Sequence, residues 1–153
     1  MDRLQKLSCA LIASLALLCG YTSPASASHA EGAFFEAPSL LLNPATRPSA
    51  IATLRKLGVS ALRIELNWPT VAPPANSTKR RPFNAADPAG YSWGQYDPLI
   101  EEAHRLRWQI LLTVTSPVPL WATANPRLHS LVTRPSTQQF EAFMTAVGRH
   151  YAS

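Results

Sequence analysis

Hydrophobic and polar positions alternate along two stretches of the chain in the way that predicts β-strands. Residues 59–68 place aliphatic side chains at every second position and polar ones between them, which is typical of a strand with two unlike faces. Gln109–Thr115 is rich in β-branched residues and predicts a second strand. A shorter apolar stretch at 33–36 predicts a brief strand ahead of both.

Three other segments show the 3.6-residue spacing of apolar side chains that predicts amphipathic helices. The first runs from Pro48 to Gly58, residues that suit the first turn and the end of a helix. The second starts either at a capping box on Ser92 or with Asp97 as its N-cap, and the third follows a capping box on Ser136. The three apolar faces comprise Ile51, Leu54 and Leu57; Tyr96, Leu99, Ile100, Ala103 and Leu106; and Phe140, Phe143, Val147 and Tyr151.

The resulting β-α-β-α-β-α order predicts an α/β fold with parallel strands and crossover helices. On the strand at 59–68 one face is aliphatic, and the other carries Arg63, Glu65 and Asn67 toward its carboxyl end. A parallel strand covered on both sides would be apolar on both. The asymmetry favours a (β/α)8 barrel, whose functional groups lie at the carboxyl ends of the strands. A doubly wound open sheet is the alternative, and Arg63 and Glu65 are alternatively a simple ion pair.

Two long connections, 69–90 and 116–135, follow the second and third predicted strands. Most connections in compact domains are about 4–6 residues long, and longer ones are often functional. Both belong to the end of the sheet where the active site of a barrel lies.

The amino-terminal residues have the features of a secretory signal peptide. Arg3 and Lys6 precede an apolar run at 7–18, and small residues at 25–27 provide a cleavage site. A stable membrane span needs about 20 apolar residues, more than this run has. We therefore expect a signal peptide at 1–27, a secreted mature protein at 28–153, and no membrane attachment after cleavage. An uncleaved anchor and a lipoprotein at Cys19 are the alternatives.

Composition excludes several classes of protein. With 46% hydrophobic and 15% charged residues, the chain is not a charge-rich disordered segment. Its two cysteines, Cys9 and Cys19, both precede residue 28, so the mature protein has no disulfide, cysteine metal site or cysteine nucleophile. The four histidines lack ligand spacing and no glycine-rich nucleotide loop occurs. We expect neither a metal nor a cofactor.

The net charge of +5 raises the question of nucleic-acid binding. Lys79, Arg80 and Arg81 form the cluster of basic residues, without the aromatic residues or helical stripe of a nucleic-acid site. We interpret the cluster as a solvated loop and expect no nucleic-acid partner.

Several short motifs resemble the amino-terminal part of secreted retaining glycoside hydrolases. They are LGV at 57–59 leading into LRIELNW at 62–68, WGQYDPLI at 93–100 leading into ILLTVT at 110–115, and PLWA at 119–122. The resemblance is to the clan of (β/α)8 barrels that includes cellulases, β-galactosidases and β-xylosidases, and covers nearly all of the mature chain. It implies that the partner is an oligo- or polysaccharide.

The resemblance also implies roles for individual residues. Arg63 corresponds to an arginine beside the catalytic nucleophile, Glu65 and Asn67 line the floor of the −1 sugar site, and Trp68 and Trp121 hold sugar. Cellulase-type members often have a histidine at the end of the third strand, where this chain has Thr115 and Ser116. We therefore do not expect cellulose to be the substrate. Packing, not sugar binding, is the expected role of four other rings: Tyr91, Trp93, Tyr96 and Trp108.

Retaining hydrolysis uses two carboxyl groups about 5–5.5 Å apart. In the clan, the acid/base glutamate follows an asparagine on the fourth strand and the nucleophile ends the seventh, but no Asn-Glu pair occurs in this sequence. A (β/α)8 domain takes about 250 residues. We expect the chain to be the first three βα units of such an enzyme, lacking both catalytic carboxylates and inactive alone. The alternatives are a non-catalytic secreted carbohydrate-binding or cell-wall module and a small α/β domain that binds a partner.

Overall fold

The computed structural model describes residues 33–77, 82–125, 127 and 134–152. The expected signal peptide at 1–27 and the basic cluster at 79–81 lie outside the described residues. The elements, in chain order, are α1 (Pro38–Leu41), α2 (Arg47–Lys56), β1 (Ala61–Asn67), α3 (Trp68–Val71), α4 (Asp97–Arg105), β2 (Gln109–Thr115) and α5 (Thr137–Tyr151), with 3-10 turns at Pro88–Gly90 and Leu120–Ala122.

The sheet consists of β1 and β2, paired in parallel from Ala61 opposite Gln109 to Asn67 opposite Thr115. Phe35 adds one parallel bridge on the other side of β1, with its N–H donating to the Ala61 carbonyl and its carbonyl accepting from the Arg63 N–H, both at 2.9 Å. The strand expected at 33–36 is therefore a single bridge residue. It ends there because Pro38 follows and begins α1, and proline has no N–H for a sheet. The mixed α/β fold with parallel strands is confirmed.

Where the structure describes the chain, helices cover only one face of this sheet. Leu62, Ile64 and Leu66 are buried on that face and belong to one core with the apolar sides of α2 and α4. The members contributed by these helices are Ile51, Leu54, Leu99, Ile100 and Ala103. On the opposite face Arg63, Glu65 and Asn67 are half-buried. The prediction that β1 has one aliphatic and one polar face is confirmed.

The helix ends follow the predicted signals in part. Gly58, just beyond α2, has φ = +75°, the left-handed conformation that a glycine adopts readily at the end of a helix. The N-cap of α4 is Tyr96, so the helix begins at neither predicted start. The buried Tyr96 hydroxyl accepts a hydrogen bond from the Asn67 N–H at 3.0 Å, which ties this helix start to the end of β1. Ser136 is the N-cap of α5, as predicted, but its side chain makes no capping hydrogen bond.

The third helix, α5, contacts α4 at one end of each helix. Here the last turn of α5 meets the first turn of α4, where His150 Nε2 lies 2.9 Å from Asp97 Oδ1 and the Tyr151 hydroxyl donates to the same oxygen at 3.0 Å. Within the described part of the chain, two strands and one bridge residue form the sheet, and no closed barrel is seen.

Aromatic rings explain the position of α5. An aromatic cluster, defined here as Trp68, Phe83, Tyr91, Trp93, Trp121 and Phe143, joins the loops at the carboxyl ends of the strands to α5. Tyr91, Trp93 and Tyr96 are buried, and Trp108 packs half-buried against the core, as expected for structural residues.

No helix among the described ranges is both long and apolar enough to cross a bilayer.

Candidate functional site

Arg63 is the centre of a polar network on the uncovered face of the sheet. Its Nη1 donates to Glu36 Oε2 at 2.8 Å, its Nη2 to Glu65 Oε1 at 3.1 Å, and its Nε to Thr113 Oγ1 at 3.2 Å. The guanidinium is thus held by three segments: the residue after the Phe35 bridge, β1 itself and β2. A planar fork held at all three nitrogens has a defined orientation, which a flexible ammonium would lack.

The two-residue repeat of strands brings these side chains together. Arg63 and Glu65 point to the same face because they are two residues apart on β1. Thr113 joins them because it is the parallel partner of Glu65 in the register of the sheet. Water reaches both ion pairs, and exposed pairs of this kind contribute about 0–1 kcal/mol each to stability. The network therefore orients Arg63 more than it stabilises the fold.

Asn67 lies at the carboxyl end of β1 with its amide tied to the neighbouring loops. Its Nδ2 donates to the Ser116 carbonyl at 3.4 Å, and its Oδ1 accepts from the Thr70 hydroxyl at 3.0 Å. The structure brings Asn67 to the same strand face as Arg63 and Glu65. Its hydrogen bonds join the ends of β1 and β2, and this fixes the rim of the site.

Trp68 and Trp121 lie in the core and not on the open face. Trp68 is 1% exposed and stacks on Phe143, with ring centroids 4.6 Å apart and planes within 2°. Trp121 is 7% exposed, meets Trp68 edge to face, and donates from Nε1 to the Pro73 carbonyl at 3.1 Å. The sugar-binding role that the resemblance implies for them stays a prediction. We leave both rings out of the site because protein atoms cover them.

Sequence reasoning did not single out Glu36 and assigned no role to Thr113. The available signal for Glu36 was its position as the last residue of the strand predicted at 33–36, since the carboxyl ends of parallel strands meet at one edge. The signal for Thr113 was its place on the polar face of β2. Together they supply two of the three contacts of Arg63.

A second polar cluster joins α4 to α5 beside a cavity of about 380 Å³. Asp97 bonds both His150 and Tyr151, and the His150 ring stacks on Trp93 at 4.6 Å. Burial raises the pKa of Tyr151, and the negative charge of Asp97 raises it further. Among the residues that the structure describes, no three His, Cys, Asp or Glu side chains could hold a metal ion. This cluster clamps the two helices together.

Comparison with known proteins provides no functional assignment. No family model, curated protein or solved structure matches the chain. The polar strand face and the sequence motifs are therefore the features that bear on function.

Proposed function

We propose that the chain forms the first part of a secreted (β/α)8 glycoside hydrolase that cleaves O-glycosidic bonds of an oligo- or polysaccharide with retention of configuration. The observation that carries the proposal is the Glu36–Arg63–Glu65 network on the strand face that the helices leave uncovered. In a barrel this face turns inward, and its carboxyl end forms the active-site mouth.

The position of the charges favours a barrel over a doubly wound sheet. A doubly wound sheet carries helices on both faces, so an apolar helix would cover Arg63, Glu36 and Glu65. Removing charged groups from water costs several kcal/mol per ion, even when the ions are paired. The mouth of a barrel keeps such groups in contact with water and substrate, and α2 and α4 already lie together on the other face.

The chemistry of Arg63 suits a retaining site. A guanidinium forms paired hydrogen bonds with a carboxylate and keeps it ionised, as a nucleophile requires. Glu36 and Glu65 are already bound to the same guanidinium, so we assign both carboxylates to substrate binding and neither to the catalytic pair. In the proposal, the catalytic pair belongs to further strands of the barrel that this sequence does not include.

The test is sugar release by the native secreted protein. Its products from a panel of aryl glycosides and oligosaccharides would be followed by NMR of the anomeric proton. We expect the first-formed product to keep the configuration of the substrate. Arg63→Lys should keep the fold and lower turnover sharply, because an ammonium cannot reproduce the planar fork. Arg55→Lys, an exposed change on α2, is the matched control.

Wild-type turnover by the Arg63→Lys variant would show that the assignment of Arg63 is wrong. Inverted products would exclude the retaining mechanism. Binding of sugar without any turnover would favour a non-catalytic carbohydrate-binding module. One observation favours that second function: both carboxylates of the uncovered face are already ion-paired, at 2.8 and 3.1 Å.

A further inference from the structure

We infer that Glu36, which the motifs did not single out, is a positioning residue for the Arg63 guanidinium. The inference rests on the proposed function for its catalytic consequence, and on geometry alone for the positioning itself. Glu36 makes the shortest contact in the network, 2.8 Å from its Oε2 to Arg63 Nη1, across 27 residues of sequence.

The backbone beside Glu36 is anchored to Arg63. The Phe35 carbonyl accepts from the Arg63 N–H at 2.9 Å, and the Phe35 N–H donates to the Ala61 carbonyl at 2.9 Å. Glu36 is the next residue, and Pro38 then begins α1, which limits the backbone freedom of the segment. The carboxylate is thus held against β1 by main-chain bonds on one side and a helix on the other.

Glu65 cannot position the Arg63 guanidinium in the same way. It lies two residues from Arg63 on the same strand and moves with it, so it does not fix the guanidinium relative to the rest of the sheet. Glu36 and Thr113 contact Arg63 from segments on opposite sides of β1. Two contacts from opposite neighbours define the plane of the fork, and the loss of one lets it turn. A misplacement of about 1 Å can reduce turnover about 100-fold.

The experiment compares Glu36→Ala, Glu36→Gln and the wild type. The side-chain Nε–H signal of Arg63 is followed by NMR, and kcat and KM are measured, all with the native protein. In the wild type we expect the Arg63 Nε–H resonance of a side chain held in one orientation. In Glu36→Ala we expect a resonance averaged by rotation of the guanidinium. The change should be smaller in Glu36→Gln, which keeps a hydrogen-bond acceptor. We also expect kcat to fall about 10- to 100-fold in Glu36→Ala with KM within about twofold.

Glu101→Ala, an exposed change on α4, is the matched control and should move neither the NMR signal nor kcat. A fully ordered Arg63 signal in both Glu36 variants would overturn the inference. An averaged signal in the variants of a protein that hydrolyses no glycoside would support the positioning role and refute the proposed function. If Glu36→Ala does not fold, Glu36→Gln carries the comparison, because it changes the charge with almost no change of shape.

Discussion

The stacking of Phe143 of α5 on Trp68 and Trp93 gives a prediction with a large expected effect. Phe143 is 0% exposed and lies between Trp68, at 4.6 Å, and Trp93, at 6.3 Å, with both ring planes nearly parallel to its own. Replacing a core phenylalanine by alanine costs about 3–5 kcal/mol, since the side chain is lost and a cavity remains. We expect Phe143→Ala to lower the free energy of unfolding by about 4 kcal/mol.

Phe140 is the matched control because it is the same residue type on the same helix. It is 39% exposed and has one tilted contact with Trp68, at 5.9 Å. Phe140→Ala should cost about 1 kcal/mol, from partial burial and one weak ring contact. Urea titration followed by circular dichroism and tryptophan fluorescence measures both, with equal m-values as the check that the unfolded states match. Equal losses in the two variants, or a loss below about 1 kcal/mol for Phe143→Ala, would refute the described position of α5.

Two further predictions concern the clamp between the helices and the end of α2. The raised pKa of Tyr151 means that the folded chain holds the phenolic proton more tightly than the unfolded chain does. The contribution of Tyr151 to the free energy of unfolding should therefore be constant below about pH 10 and fall above it, by up to about 1.4 kcal/mol per pH unit. Urea titrations at about pH 9 to 11 should show this slope in the wild type and not in Tyr151→Phe. Gly58→Ala should cost about 1 kcal/mol because φ is +75°, whereas Gly94→Ala, which has open space around it and no positive φ, should cost less in the same assay.

Local periodicity predicted the strands and their faces well, because every second side chain of a strand points to the same face and one face is buried. β1 and β2 lie where the alternation placed them, with Leu62, Ile64 and Leu66 inside and Arg63 outside. The same reasoning located α2 and α5 within a few residues. One of the two predicted starts of α4, with Asp97 as N-cap, lies one residue from the observed N-cap, Tyr96.

Contacts between distant segments could not be predicted in this way. The hydrogen bond between Glu36 and Arg63 depends on a single β-bridge residue, Phe35, and one residue is too short to show a periodic pattern in the sequence. The spacing of Phe140 and Phe143 predicts a buried helix face, but not which surface covers it. Sequence context likewise does not distinguish a tryptophan that holds sugar from one that is buried in the core, as Trp68 and Trp121 are.

The central claim is that the uncovered face of the sheet is the floor of a sugar site. The most direct test is a crystal structure of the native protein soaked with the oligosaccharides of the panel. The account predicts a sugar ring over this face, with hydroxyl groups within about 2.6–3.2 Å of Arg63, Glu36 or Glu65. A sugar bound elsewhere, or this face covered by apolar side chains of the same protein, would contradict it.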